Sequence, residues 1–125
     1  MEVAGTFKRK NSREARTALS TKMRVLYPKH TAVLVERRSV RDPINTKGRY
    51  LVPSEMSCGE LQQLVTSNLK PGSLHPDEAL FFTCQSQLLT PSVLVSTLAA
   101  TQKDADGFLY IVYSTENVFG NVSTW

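Results

Sequence analysis

The sequence predicts an α+β domain in which a four-stranded mixed sheet carries a helix across one face, with a further helical segment at the N-terminus. Three observations predict it. Two strand-like segments, residues 31–38 and 49–53, follow one another with no helix between them. A capped amphipathic helix comes next and another strand after it, the order of a mixed sheet with a helix packed across one face. Residues 108–113, Phe-Leu-Tyr-Ile-Val-Tyr, then form a continuous apolar and aromatic run with the length and composition of a buried central strand.

Taken in order, residues 6–11 form a basic arm that can be a short helix of its own. Ser12 caps a helix with Glu14 in its first turn and apolar residues at Ala15, Ala18, Leu19, Met23 and Leu26, and Tyr27-Pro28 stops it. Residues 31–38 read as a strand centred on Val33, Leu34 and Val35. Asp42-Pro43 and Gly48 mark residues 39–48 as a loop. Residues 49–53 make a second short strand, which Pro53 ends or places on an edge. Ser57 and Glu60 form a capping box. The helix they open carries Leu61, Leu64, Val65 and Leu69 on one face, and Pro71-Gly72 terminates it. Residues 79–84 are a third strand and residues 85–89 a polar turn. Thr90-Pro91 starts a last short helix with proline at its first position, turning Val93 or Leu94 and Leu98 inward. The acidic glycine turn 104–107 feeds the final strand. This order is that of the ubiquitin-like β-grasp fold, with residues 1–30 as a helical extension, 31–114 as the core and 115–125 as a flexible tail.

Composition bounds the function. A chain of 125 residues buries a core without staples, and 41% hydrophobic with 21% charged residues is ordinary for a soluble protein. Cys58 and Cys84 lack metal-ligand spacing and a nucleophile signature, so buried reduced thiols are expected. His30 and His75 lie far apart in predicted loops with no motif around them. No catalytic, metal-binding or cofactor-binding set is therefore expected. There is no signal peptide pattern and no run of the roughly 20 apolar residues that spans a bilayer, which points to the cytoplasm. Asn121-Val-Ser matches a glycosylation acceptor that has no meaning without secretion.

The charge is asymmetric. Residues 1–50 hold 13 Lys and Arg against 4 Asp and Glu, a net +9, whereas residues 51–125 hold 2 against 7, a net −5. The basic half suits an acidic partner such as nucleic acid, anionic lipid, acidic protein segments or a tubulin-like surface; a solvated helix face is the plain alternative. Nucleic acid is disfavoured, because the basic residues are not interleaved with stacking aromatics.

The C-terminal segment ends in Phe119-Gly120 followed by Asn-Val-Ser-Thr-Trp. Removing those five residues would expose an unhindered glycine carboxylate that can be adenylated, passed to a thiol and attacked by an amine. A glycine also lies extended in a narrow enzyme channel without a Cβ in the way. The plain reading is flexible punctuation near a chain end.

Thr6-Phe7-Lys8, Tyr27-Pro28, Glu36-Arg37, Tyr50-Leu51-Val52-Pro53, Asp106-Gly107-Phe108-Leu109-Tyr110, Tyr113 and Phe119-Gly120 together resemble the autophagy ubiquitin-like modifiers, that is, the microtubule-associated protein light chains and the GABA type A receptor-associated protein family. The resemblance covers residues 6–120 almost without gaps. It implies a monomeric non-enzyme, cut after Gly120 by a cysteine protease, then carried by activating and conjugating enzymes to phosphatidylethanolamine on autophagosomal membrane. Two acyl chains gained through one bond would anchor an otherwise soluble domain.

The resemblance also implies peptide binding. Receptor segments of the aromatic-x-x-aliphatic kind would add a strand to the edge of the second strand. By position, the aromatic pocket would use Met23, Ala32, Leu34, Leu51 and Phe108, with Arg49 at its rim. The aliphatic pocket would use Tyr50, Val52, Pro53, Met56, Leu61, Leu64 and Val65. Plain core packing is the alternative for each. Lys8, Lys10 and Arg49 would suit acidic residues flanking such ligands. Departures from the family pattern stand at Arg13, Leu19, Ala32, Gly48 and Asn68, whereas Arg16 matches. Leu19 removes an acidic group beside the aromatic pocket and Asn68 removes a cation, which implies a ligand preference shifted toward apolar motifs. Two rival functions remain open: a modifier joined to a protein lysine, and a non-conjugated β-grasp binding module with a basic surface.

Overall fold

The structure, a computed structural model, describes residues 3–115. Phe119 and Gly120 therefore lie outside the described residues. Among the described residues, nine elements follow in order: α1 (Thr6–Lys10), α2 (Arg13–Leu26), β1 (His30–Arg37), β2 (Arg49–Pro53), α3 (Cys58–Ser67), β3 (Phe81–Cys84), β4 (Gln87–Leu88), α4 (Val95–Gln102) and β5 (Leu109–Ser114). The sheet runs β2-β1-β5-β3-β4. β1 and β5 are parallel at its centre, and the β1–β2, β3–β5 and β3–β4 pairs are antiparallel, so the sheet is mixed. The aromatic run lies on the central strand β5 from Leu109 on, flanked by β1 and β3, with Phe108 just before it.

Alternation along the strands divides the sheet into two differently covered faces. Val33 and Val35, Tyr50 and Val52, and Leu109, Ile111 and Tyr113 join Phe82 and Cys84 under α3 and α4, where Leu61, Val65, Val95 and Leu98 complete the main core. The intervening residues face the other way. There Leu34 and Phe108 pack with Phe7 of α1, and Leu19, Ala32 and Tyr110 lean on them. The rings of Phe7 and Phe108 meet edge to face at 5.4 Å. Both cysteines are free thiols buried in this core. Burial pushes the Cys84 thiol up to about 11, with the charge of the Cys58 thiolate adding to the effect.

Helix starts follow their caps. The Ser12 hydroxyl accepts from the Ala15 N–H at 3.1 Å, and Ser57 and Glu60 satisfy each other's backbone N–H at 3.1 Å each. α1 has no side-chain cap of its own. Instead Glu36, buried on β1, accepts from the N–H groups of Gly5 at 3.2 Å and Phe7 at 3.1 Å, so the sheet itself caps the arm.

Three expectations are corrected. The sheet has five strands, not four: Gln85 and Ser86 take positive φ values of 49° and 65° and close a two-residue hairpin to β4. Such a turn normally asks for Asn or Gly, and its absence hid the hairpin within a polar stretch. The last helix begins at Val95, not at Thr90-Pro91, because Pro91 is used in a turn whose carbonyl accepts from the Gly59 N–H at 2.9 Å. Val95 and Leu98 are its buried residues, while Leu94 is exposed. Finally, α2 does not bury its apolar positions as a face. Ala15, Ala18 and Leu26 are exposed, and the helix instead turns Arg16, Leu19, Ser20 and Met23 toward the domain.

Candidate functional site: the edge of β2 and the covered face beside it

β2 is an edge strand, paired only with β1 among the described residues. Its outer N–H and C=O groups are therefore open to a further strand. The register sets Ala32 opposite Leu51 and Leu34 opposite Arg49, which places these two cross-strand pairs on the face covered by α1 and α2. Tyr50 and Val52 point to the opposite face, under α3.

The residues expected for the aromatic pocket divide by depth. Leu34 and Phe108 are buried floor, covered by Phe7. Met23, Ala32 and Leu51 line one small hollow of about 120 Å³ between α2 and the sheet, together with Ser20 and His30. Leu34 and Arg49 line a second, larger hollow of about 480 Å³ against α1, with Phe7, Lys10 and Asn11. Ala32 packs against the Leu34–Phe108 cluster and links the two. The Arg49 guanidinium stands over the Phe7 ring at 5.1 Å, a cation–π contact that holds it at the rim. Phe7, noted in the sequence only within Thr6-Phe7-Lys8, was not expected in the pocket. Its apolar side chain within a basic arm is the signal that could have found it.

Of the cations expected near this groove, Lys10 and Arg49 line it and Lys8 does not. The Lys8 ammonium pairs with Asp104 at 2.5 Å and sits 4.7 Å over the Tyr110 ring. It lines a separate hollow of about 440 Å³ over β5, β3 and β4, with Phe81, Thr83 and Val112.

The residues expected for the aliphatic pocket are mostly interior. Leu61 and Val65 are fully buried, and Tyr50 and Val52 nearly so. Met56 and Leu64 are partly buried against the same core, and Pro53 is exposed at the strand end. The accessible wall is thus Pro53, Met56 and Leu64 over a floor of core residues. Asn68 donates to the Tyr50 hydroxyl at 3.1 Å and so ties the end of α3 to β2. Leu19 joins the Phe7–Leu34–Phe108 cluster, which makes that rim apolar.

A polar latch fixes α2 over this face. The Asp106 carboxylate has no exposed side-chain area and receives Arg16 at 2.6 Å, the Tyr110 hydroxyl at 2.5 Å and the Phe108 N–H at 2.8 Å. The Ser20 hydroxyl donates to the Asp106 carbonyl. Burial and the neighbouring Asp106 carboxylate push the Tyr110 phenol well above its usual range, against the Arg16 charge. At the other end of β5, buried Asp42 accepts from Ser114 Oγ at 3.1 Å and the Thr115 N–H at 3.0 Å. It also accepts from the Ser39 N–H at 2.9 Å. This carboxylate fixes Ser114 and Thr115 at the end of β5.

No helix among the described residues is long and apolar enough to cross a membrane. The family described as "Autophagy protein Atg8 ubiquitin like" matches residues 15–120. The chain is 37% identical over 116 residues to Autophagy-related protein 8b of Arabidopsis thaliana, covering 92% of this chain and 93% of that one. It is 35% identical to Autophagy-related protein 8 of Mycosarcoma maydis, covering 93% and 97%. Among solved structures, Plasmodium falciparum Atg8 in complex with a Plasmodium falciparum Atg3 peptide superposes with a TM-score of 0.77 at 31% identity, covering 89% and 96%. Trypanosoma brucei ATG8 gives 0.74 at 25% identity, covering 86% and 91%.

Proposed function

Because the chain belongs to the Atg8 family of ubiquitin-like autophagy proteins, we propose that it is a modifier of autophagosomal membrane. In this reading it is not an enzyme but the substrate of others. A cysteine protease cuts after Gly120, and activating and conjugating enzymes carry the new carboxylate to the amine of phosphatidylethanolamine. Residues 115–125 are then the processed tail, residues 31–114 the core and residues 1–30 the helical extension. The free protein is cytoplasmic and the conjugate is held on membrane by its two acyl chains.

The observation that carries the reading is the open edge of β2 beside a face lined by Ala32, Leu34, Arg49 and Leu51. An extended peptide added there gains main-chain hydrogen bonds from the edge and side-chain contacts from the two hollows. The likeness to Plasmodium falciparum Atg8 bound to an Atg3 peptide supports a conjugating-enzyme segment as one such ligand; autophagy receptor segments of the aromatic-x-x-aliphatic type are the others. The apolar rim at Leu19 and the absence of a cation at Asn68 favour ligands that depend less on acidic flanks.

Intact mass from cells with active autophagy tests the reading, with Gly120→Ala alongside. The expected result is loss of residues 121–125 and a phosphatidylethanolamine adduct on the wild type only. An adduct of protein size would replace the lipid by a protein lysine. A full-length, unmodified chain in both samples would leave a non-conjugated binding module.

A further inference from the structure

The last turn of α2 leaves its apolar side chains in solvent. Val25 is 72% exposed, Leu26 56%, and the C-cap Tyr27 44%. Lys22 lies three and four residues before Val25 and Leu26 and so stands beside both on the helix surface. Arg24 is in the same turn, and Lys29 and His30 follow, with the Tyr27 and His30 rings edge to face at 6.0 Å. Lys103 joins them from α4's end, lining with Arg24 and His30 the outer side of the same small hollow as Met23, Ala32 and Leu51.

No Asp or Glu occurs between Glu14 and Glu36. Two carboxylates come near from other elements. Glu55 follows Ser54, whose N–H bonds the Lys29 carbonyl at 3.0 Å. Asp104 follows Lys103 and is taken by Lys8. Among the described residues, Lys22, Arg24 and Lys29 form no ion pair. This end of the domain therefore combines uncompensated positive charge with three neighbouring apolar side chains.

We propose that residues 22–30 form a docking surface for an anionic phospholipid bilayer. Three side chains on a helix end fall far short of the roughly 1,000 Å² that a specific protein interface buries. A bilayer surface asks for less. A few apolar side chains enter the headgroup region while cations beside them meet anionic lipid. Tyr27 has the apolar body and polar tip that suit that boundary.

The surface is remote from the end of β5. β1 starts at His30 and runs parallel to β5, which ends at Ser114 beside Arg37. The surface thus lies at the opposite end of the sheet from the root of the C-terminal segment, about 25 Å away along the strand. The contact does not rest on conjugation, and the unconjugated chain suffices to test it.

Full-length protein sedimented with vesicles is the experiment. It is expected to pellet with mixed phosphatidylcholine–phosphatidylserine vesicles, not with phosphatidylcholine alone, and to be released by added salt. Val25→Ser with Leu26→Ser, and separately Lys22→Glu with Arg24→Glu, should each lower the bound fraction about 10-fold. Lys70→Glu, a charge reversal at an exposed site elsewhere, should leave it within about 2-fold. Absence of pelleting, or equal loss with Lys70→Glu, overturns the proposal. So does unchanged binding in the serine pair. Concentration-dependent self-association abolished by the serine pair, without vesicle binding, would assign the patch to a second copy of the chain and likewise overturn it.

Discussion

The Ser20 hydroxyl occupies the space into which a side chain on Gly107 would project: a Cβ built there lies 2.5 Å from Ser20 Oγ. Gly107 also has a φ of +94°, where only glycine is at ease. The turn before β5 and the inward face of α2 are therefore fitted to each other at one point, next to the Asp106 latch.

Gly107→Ala should cost about 1–3 kcal/mol from backbone strain and the clash together. A chemical denaturation curve reads the loss. Because Ser20→Ala by itself loses the hydrogen bond to the Asp106 carbonyl, the comparison is a cycle: Gly107→Ala should cost less in the Ser20→Ala background than in the wild type, since the nearest oxygen is gone while the strain remains. If the two costs are equal, α2 is not seated on this turn as described.

The Lys8–Asp104 pair gives a pH signature. Burial alone would raise the Asp104 carboxyl, but the Lys8 hydrogen bond, the Asp106 N–H and the Arg16 charge bring it below its ordinary value. A carboxyl depressed in the folded state binds its proton more readily when unfolded. Its stabilisation is therefore complete above the ordinary carboxylate range and is lost as pH falls through the folded value. Thermal melting from neutral pH to about pH 2 should show a smaller acid-induced fall for Lys8→Ala than for the wild type. Equal falls would mean that solvent screens the pair too well to matter.

Much of this was legible from residue patterns, and the parts that were not have physical reasons. Ser57 with Glu60, Tyr27-Pro28 and the run into Tyr113 each signal locally, through caps, a stop and β-branched composition. β4 escaped because Gln85 and Ser86 adopt positive φ without the residues that usually announce it. Leu26 read as an inward residue because periodicity identifies apolar positions but not what is left uncovered at a helix end. At the groove, it was the family resemblance that put Leu51 and Tyr50 in different pockets, and alternation along β2 is the physical reason they face opposite sides of the sheet. It could not reveal that Glu36 caps α1 and brings Phe7 over Phe108, since that contact joins residues distant in sequence.

The division of the groove into floor and wall separates binding from folding. Leu61 is fully buried in the main core, so Leu61→Ala should cost about 2–5 kcal/mol and weaken peptide binding only as far as it unfolds the domain. Leu51 is partly exposed on the α2 side of the edge strand and lines a hollow with Met23 and Ala32. Leu51→Ala should therefore change stability by about 1 kcal/mol or less, yet weaken an aromatic-x-x-aliphatic peptide about 10-fold, since truncating a central contact in a small interface is costly. Calorimetric titration of such a peptide, paired with melting curves for both variants, reads the two effects independently. Unchanged affinity in a folded Leu51→Ala protein would remove this face from the binding site and leave the β2 edge to act through its main chain alone.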